Sequence, residues 1–247
     1  MPISPSSGPA SGGNTVTITG VNLGGATSVR FGTKSAAIVS NTATQVVVTA
    51  PSGSGAVNVT VTTPGGNSNP LKYYYVGLPT EFSLSPAAGP VAGGNSVTID
   101  GTGLSTATQV TFGANSATPT VLSDSELSVA VPGGVAGSVE VTVTTGGGTT
   151  GGLSYTYVAA PTISAATPDE GPPTGGTQVT VTGTAFDTTQ SVTFDGIGAA
   201  FTVLSPTTLI TTSPPTSDGG AGPADITVTT LAGTATTAYT YVAAPGI

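Results

Sequence analysis

Apolar and polar residues alternate in short runs along the whole chain. The run VTIT alternates Val16 and Ile18 with threonine, and the run VNVTV alternates Val57, Val59 and Val61 with polar residues. A period of two buries one face of a strand and leaves the other face in water. Since no segment shows the 3.6-residue period of a helix, the pattern predicts an all-β protein.

Four landmarks recur three times in one order. The segment GPASGGNTVTITGVNL begins at Gly8, and related segments begin at Gly89 and Gly171, at offsets of 81 and 82 residues. The other landmarks are Phe31, Phe112 and Phe194, then Pro51, Pro132 and Pro214, then the pairs Tyr73/Tyr75, Tyr155/Tyr157 and Tyr239/Tyr241. This internal repeat predicts three domains, called here module one (residues 1–77), module two (78–159) and module three (160–247).

The turns and seams between these strands are short. In GPxxGG the glycine pair can adopt positive φ, and a strand rather than a helix follows, so the motif predicts a tight turn and not a phosphate loop. The seams VGLPTE and VAAPT each contain proline, which predicts a stiff, elongated chain about 100 Å long. The run YTYVAAP occurs at 155–161, at the seam between modules two and three, and again at 239–245. The sequence therefore stops where a fourth copy would begin.

The module start resembles a known family. ISPSSGPASGG followed by VTITGVNL, the later VxFG element and the closing YxY are similar to an IPT/TIG domain, three times over nearly the whole chain. The resemblance implies three tandem immunoglobulin-like β-sandwiches, in agreement with about seven strands per module. It implies little about function, because this fold serves many.

Composition argues against catalysis. The chain has no Cys and no His, so the commonest nucleophile–base pairs and the usual zinc, haem and iron–sulfur ligands are missing. The adjacent acids Asp169 and Glu170 lie in a turn, and no DxDxD-like calcium run occurs near Asp187, Asp195 or Asp218. We therefore predict a non-enzymatic protein with no catalytic residues, cofactor or metal site.

Charge is divided unevenly among the modules. Module one has Arg30, Lys34 and Lys72 and no acid, for a net charge of +3, whereas modules two and three carry −5 and −6. Three basic residues and a pI near 4.1 are too few to neutralise many phosphates, so we exclude nucleic acid as a partner. This uneven distribution of charge is compatible with evolutionary drift on a sparsely charged surface. It also suggests that module one faces an acidic partner, for example module three of a neighbouring copy in a head-to-tail array.

Four residues of module one are the candidate partner-binding residues, namely Arg30, Lys34, Lys72 and Tyr74. Alternation places Tyr73 and Tyr75 in the core and Tyr74 outside, where modules two and three have Thr156 and Thr240. An exposed tyrosine could be an ordinary strand residue or a platform on which a sugar ring stacks.

We expect a structural or display protein, whose modules hold other molecules, space them or present a binding surface. The sequence shows no secretory signal and no 18-residue apolar run, which predicts no membrane insertion and favours a virion decoration or structural protein, on a phage capsid or tail, with capsid or tail proteins as partners. If a leader precedes this sequence, a bacterial cell-surface or secreted adhesion or filament protein is the alternative. A carbohydrate-binding accessory module that recognises cell-surface glycans is the third possibility.

Overall fold

The computed structural model describes residues 2–245, and it confirms the all-β prediction. Within that range the only helical element is a 3-10 turn at Phe186–Thr188. The predicted end of module three includes Gly246 and Ile247, which lie outside the described residues. All other regular structure is strand.

Each module contributes nine strands, several of them very short. Module one has β1 (Ile3–Ser4), β2 (Ser7–Pro9), β3 (Thr15–Thr19), β4 (Ser28–Phe31), β5 (Lys34–Asn41), β6 (Gln45–Thr49), β7 (Gly55–Thr63), β8 (Gly66–Asn67) and β9 (Leu71–Val76). Module two has β10 (Thr80–Ser85), β11 (Ala88–Pro90), β12 (Ser96–Thr102), β13 (Gln109–Phe112), β14 (Asn115–Ala117), β15 (Thr120–Val121), β16 (Glu126–Ala130), β17 (Gly137–Thr145) and β18 (Gly148–Val158). Module three has β19 (Thr162–Thr167), β20 (Glu170–Gly171), β21 (Gln178–Thr184), β22 (Thr189–Phe194), β23 (Ile197–Ala199), β24 (Phe201–Ser205), β25 (Thr208–Thr212), β26 (Gly222–Thr230) and β27 (Gly233–Tyr241).

One strand decides how the sheets divide. In module one β5 pairs with β4 at its start and with β6 at its end, so the strands form one continuous sheet in the order β1-β3-β6-β5-β4-β7-β9-β2, with β8 on β7. In modules two and three the same stretch is split, and each has a four-stranded and a five-stranded sheet. In module two Pro119 lies at the break, where its missing N–H cannot join a ladder.

The first stretch of every module supplies two short strands that pair with different partners. In module one β1 pairs antiparallel with β3, whereas β2 pairs parallel with the last strand, β9. The same parallel pairing joins β11 to β18 and β20 to β27. This arrangement leaves β4, β7 and β9 as adjacent strands with one face inward and one face outward.

The core lies where the alternation placed it. Module one buries Val16, Ile18, Leu23, Val29, Phe31, Val46, Val48, Ala50, Val59, Val61 and Tyr73, and module three buries Val179, Val181, Phe186, Val192, Phe194, Leu209, Ala224, Ile226, Val228, Tyr239 and Tyr241. Phe112 of module two is likewise buried. The glycine pairs of GPxxGG have φ between 69° and 89° in all three modules, which confirms the predicted tight turn.

The seams are three residues long between strands, at 77–79 and at 159–161, and the proline of each is buried. Compactness divides the chain into two units, which are described separately. The first unit contains residues up to Ser85 together with 96–131 and 140–154, and the second contains 86–95, 132–139 and residues from Tyr155 onward. The elongated arrangement stays a prediction.

Candidate functional site

Three of the four candidate residues point outward from one sheet of module one. On β4, Arg30 lies between the buried residues Val29 and Phe31, so its side chain is on the solvent face. On β9, Lys72 and Tyr74 lie on either side of Tyr73, which is fully buried. The alternation of the two strands therefore exposes a cation on β4, and a cation and an aromatic ring on β9.

The strand between them brings these residues onto one surface. In β7, Thr60 lies opposite Arg30, Asn58 lies opposite Lys72, and Ala56 lies opposite Tyr74. Directly opposed residues have Cβ atoms about 4.5–5.5 Å apart, so each pair is in contact range. We call the surface formed by Arg30, Asn58, Lys72 and Tyr74 the basic–aromatic face.

The three candidate residues extend across this face, with Lys72 and Tyr74 on one strand and Arg30 two strands away. Strand spacing of about 4.8 Å and a rise of about 3.3 Å per residue put the Cα atoms of Arg30 and Tyr74 roughly 16 Å apart, with Lys72 between them. A linear ligand lying across this face would meet two cations and then a ring.

The ring of Tyr74 is accessible. Its side chain is 52% exposed, and its neighbours on the adjacent strands are small, Ala56 on β7 and Ser7 on β2. A half-exposed tyrosine offers an apolar ring and a hydroxyl to the same partner. This confirms the predicted exposure of Tyr74, whereas its role in binding stays a prediction.

The positive charge of the face is not neutralised within the module. Nη1 of Arg30 donates to the carbonyl oxygen of Thr33 over 3.1 Å, which orients the guanidinium without removing its charge. Module one has no Asp and no Glu that could pair with Arg30 or Lys72. The face therefore favours a partner that brings its own carboxylate or other anionic group.

Lys34 does not belong to this face. It lies opposite Phe31 at the start of β5, and Phe31 points into the core. Its ammonium donates to the carbonyl oxygen of Ser52 over 2.9 Å and to Oγ of Ser52 over 3.1 Å. Lys34 thus lines a shallow concavity beside Phe31 and Tyr75, and the structure separates it from the other three candidates.

The equivalent surfaces of the other modules are different. Strand register equates Arg30 with Thr111 and Thr193, and Asn58 with Glu140 and Asp225. By the same repeat Lys72 corresponds to Ser154 and Ala238, and Tyr74 to Thr156 and Thr240. The basic–aromatic face therefore exists in module one alone, and an acid replaces Asn58 in each of the other modules.

Two of the acids considered as calcium ligands in module three accept hydrogen bonds from backbone N–H groups. Asp195 accepts a hydrogen bond from the Asp225 N–H over 2.8 Å, and Asp218 accepts one from the Gly220 N–H over 2.9 Å. Both line a concavity of about 190 Å³ above Phe194 and Tyr241. Burial, then Tyr239, then Asp195 raise the pKa of the Tyr241 hydroxyl.

Two further features of residues 2–245 concern metal binding and membrane insertion. No group of three or more His, Cys, Asp or Glu residues is placed to hold a metal ion in that range. None of its helical structure is long and apolar enough to span a bilayer. Asp169 and Glu170, the adjacent acidic pair noted in the sequence, are both exposed.

Sequence reasoning did not single out Asn58, which belongs to the basic–aromatic face, or Thr60, which lies opposite Arg30. The signal was present in VNVTV, because the polar residues that alternate with buried valines must face solvent. What the sequence could not show is which residues of β4 and β9 lie opposite them.

The comparison with protein families gives one match. The IPT/TIG domain profile matches residues 1–75, 79–157 and 161–242. These three segments follow the three repeats and together cover nearly the whole chain.

Solved structures resemble the chain only loosely. The plexin A4 full extracellular region is 25% identical with a TM-score of 0.48, over 90% of this chain and 21% of that chain. The Bacteroides ovatus mixed-linkage glucan utilization locus protein SGBP-B, in complex with a mixed-linkage heptasaccharide, is 16% identical with a TM-score of 0.31, over 96% and 65% of the two chains. The Escherichia coli adhesin FdeC is 15% identical with a TM-score of 0.38, over 97% and 95%. This chain therefore spans only part of the plexin and glucan-locus structures.

Proposed function

Because the chain belongs to the IPT/TIG domain family, whose fold serves many functions, we propose its function from the one surface that distinguishes its modules. The protein is a non-enzymatic surface or secreted binding protein, and module one holds acidic carbohydrate on the basic–aromatic face. Modules two and three space and display that face. The observation that carries the proposal is the placement of Arg30, Lys72 and Tyr74 on one outward surface by β7.

The chemistry of the face fits a carboxylated sugar chain. A sugar ring presents an apolar face that can lie on the exposed ring of Tyr74, with Asn58 and Ser7 nearby as hydrogen-bonding groups. Arg30 and Lys72 can bind carboxylates further along the chain, and the planar guanidinium can do so with two parallel hydrogen bonds. A neutral glycan would leave both cations unused, so the proposal is specific for acidic polymers.

The test uses the full chain and two soluble polymers, polygalacturonate as the acidic probe and dextran as the neutral one. Variants take the residues of the sister modules, so each substitution is one that this fold already tolerates: Arg30→Thr, Lys72→Ser and Tyr74→Thr. We expect binding to polygalacturonate and not to dextran at low salt. Each variant should weaken it about three- to tenfold, equivalent to about 0.7–1.4 kcal/mol.

Lys34→Ala is the matched control, because it removes an equal charge from module one outside the face. It should leave polygalacturonate binding within about twofold of the parent. Equal losses for Lys34→Ala and Lys72→Ser would show a general charge effect and would overturn the site. No binding of any folded sample to polygalacturonate would overturn the function.

A second copy of the chain is the competing occupant of this face, because Glu140 and Asp225 lie on the equivalent surfaces of modules two and three. Sedimentation velocity at low and high salt distinguishes the two. Oligomers that dissociate in salt and disappear in Arg30→Thr, without any carbohydrate binding, would replace the glycan by a neighbouring molecule.

We place this activity outside the cell or on its surface, since acidic polysaccharides are found there. A virion surface stays an untested prediction, for which an array anchored on a capsid or tail would use the same basic–aromatic face. Antibody labelling of intact cells and of purified particles from the source would distinguish them. Labelling of particles but not of cells would favour a virion protein over a cell-surface protein.

A further inference from the structure

Glu81 stands where the repeat has a core residue. In module two Glu81 lies opposite Gly101, and the register shifts between Glu81 and Ser83. In module three Ile163 lies opposite Gly183, and the register shifts at the same place. The two positions are therefore equivalent, and Ile163 packs against the buried core of its module.

The carboxyl group of Glu81 is buried, and the cost of burial outweighs the support that the Val143 backbone gives to its charged form. Both of its oxygens are inaccessible to solvent and neither makes a hydrogen bond of normal geometry. A buried carboxylate without a partner is among the costliest groups that a fold can contain, and it is usually neutralised by a proton instead. The chain offers no counter-ion in this module, because no basic residue follows Lys72.

Of the groups near Glu81, a second carboxylate increases this cost and a backbone group reduces it. The nearby groups on β17 are the carboxylate of Glu140, which is exposed on the outer side of that strand, and the backbone of Val143. On the neighbouring strand β12, Asp100 is directed to Ser83, whose hydroxyl donates to it over 2.7 Å. Burial first, and Glu140 to a smaller extent, raise the pKa of Glu81 from 4.5 to about 7, while the Val143 backbone opposes the shift.

The same end of β10 is continuous with the seam. Gly77, Leu78 and the buried Pro79 directly precede it. The turn that joins β17 to β18 lies against this seam, since a side chain at Gly147 would collide with the Gly77 carbonyl and one at Gly148 would meet Leu78. The seam, which continues into the first residues of β10, is therefore packed against the β17–β18 turn.

We propose that Glu81 is a proton-operated latch for this seam. With a neutral carboxyl group, the first residues of β10 stay paired with β12 and the seam stays in contact with the β17–β18 turn. With an ionised one, the side chain leaves the apolar space, and the first residues of β10 detach together with Gly77 and Leu78. The latch is independent of carbohydrate binding by module one.

The direction of the effect follows from the two protonation states. The closed seam holds a proton up to about pH 7, whereas a solvated glutamate in the open seam loses it above 4.5. Opening therefore releases a proton in this window, and the opening constant rises with pH by up to about tenfold per unit. Above pH 7 both states are ionised and the opening constant levels off.

The experiment is hydrogen exchange of the full chain, followed by NMR and corrected for the intrinsic dependence of exchange on pH, together with the carboxyl ¹³C titration of Glu81. We expect a midpoint near pH 7, and an opening constant for the amides of 80–83 that rises at least tenfold between pH 5 and pH 7. Glu81→Gln should remove that rise, and Glu140→Gln should lower the midpoint.

Glu81→Ile, the residue of module three, keeps the test decisive if the glutamine variant fails to fold, because it should hold the seam closed at every pH. A Glu81 midpoint below about pH 5 would overturn the latch. So would a midpoint near 7 with no change in the exchange of 80–83, since ionisation would then not open the seam.

Discussion

The side-chain amide of Asn14 lies 3.0 Å from the hydroxyl of Tyr73, which is otherwise fully buried. In module two the hydroxyl of Tyr155 donates a hydrogen bond to Oδ1 of Asn95 over 3.1 Å. In module three the asparagine is replaced by Thr177, and the hydroxyl of Tyr239 is buried without a partner. One tyrosine position of the repeat is therefore satisfied in two modules and unsatisfied in the third.

Thr177→Asn should stabilise module three. The longer amide can reach the Tyr239 hydroxyl and satisfy a buried polar group, which is worth about 1 kcal/mol. Urea unfolding, followed by NMR signals of module three, should show a higher midpoint. The reverse change Asn14→Thr is the matched control and should lower the midpoint of module one by a similar amount. An unchanged midpoint for both variants would show that this contact contributes nothing.

The first glycine of the turn motif is needed for a reason that the sequence did not reveal. A side chain at Gly8 would collide with the Tyr73 hydroxyl, and one at Gly89 would collide with that of Tyr155. The motif GPxxGG predicted the positive φ of the later glycine pair, because that is a local property of the backbone. The contact with tyrosine joins residues more than 60 positions apart, so only the folded sheets show it.

Gly8→Ala should therefore destabilise module one although Gly8 is not among the glycines with positive φ. The methyl group would have to displace Tyr73 from a packed core, and such overpacking costs about 1–3 kcal/mol. Thermal unfolding of the variant would measure the loss. Gly13→Ala is an informative comparison, because Gly13 has open space around it but φ of 87°, so its cost is backbone strain alone.

Each module should also unfold on its own when its central phenylalanine is removed. Phe31 and Phe194 are almost fully buried and pack edge-on against Tyr73 and Tyr239 at ring-centroid distances of 5.0 Å. Truncation to alanine costs about 3–5 kcal/mol, a large part of the stability of a small domain. In Phe194→Ala we expect the NMR signals of module three to collapse while those of module one persist. Loss of both sets together in one transition would contradict independent modules.

The candidate site was predictable only in part. Alternation around Tyr73 indicated that Lys72 and Tyr74 face outward, and both do. Alternation could not show that Arg30 shares their surface, because that depends on β4 and β9 pairing with the same strand, β7. Nor could it separate Lys34, whose place is set by its hydrogen bonds to Ser52.

Glu81 shows why a strand pattern can fail at one residue. In TEFSLS, strict alternation would place Phe82 and Leu84 on one face and Glu81 on the other. The irregularity between Glu81 and Ser83 breaks the pleat, so Phe82 is 64% exposed while the carboxyl group of Glu81 is buried. Local sequence does not mark this irregularity, which becomes visible only through pairing with β12.

The stability of module two should fall as pH rises from 4.5 to 7. Glu81 has a folded-state pKa of about 7 against an ordinary value of 4.5, so the folded state binds more protons in this window and loses stability as the proton dissociates. Below 4.5 the glutamate is protonated whether the module is folded or unfolded, and its contribution is constant. Above 7 the glutamate is ionised in both the folded and the unfolded module, so the loss of stability is complete and no longer changes with pH.

Glu81→Ile removes this dependence by giving module two the residue of module three. Urea midpoints of module two should then differ little between pH 5 and pH 8, whereas the parent should be less stable at pH 8. Glu126→Gln, a change at an only partly buried glutamate of the same module, should leave the difference between the two pH values as it is in the parent. A parent that is equally stable at both pH values would show that Glu81 is ionised in the folded module at pH 5 and so reaches solvent.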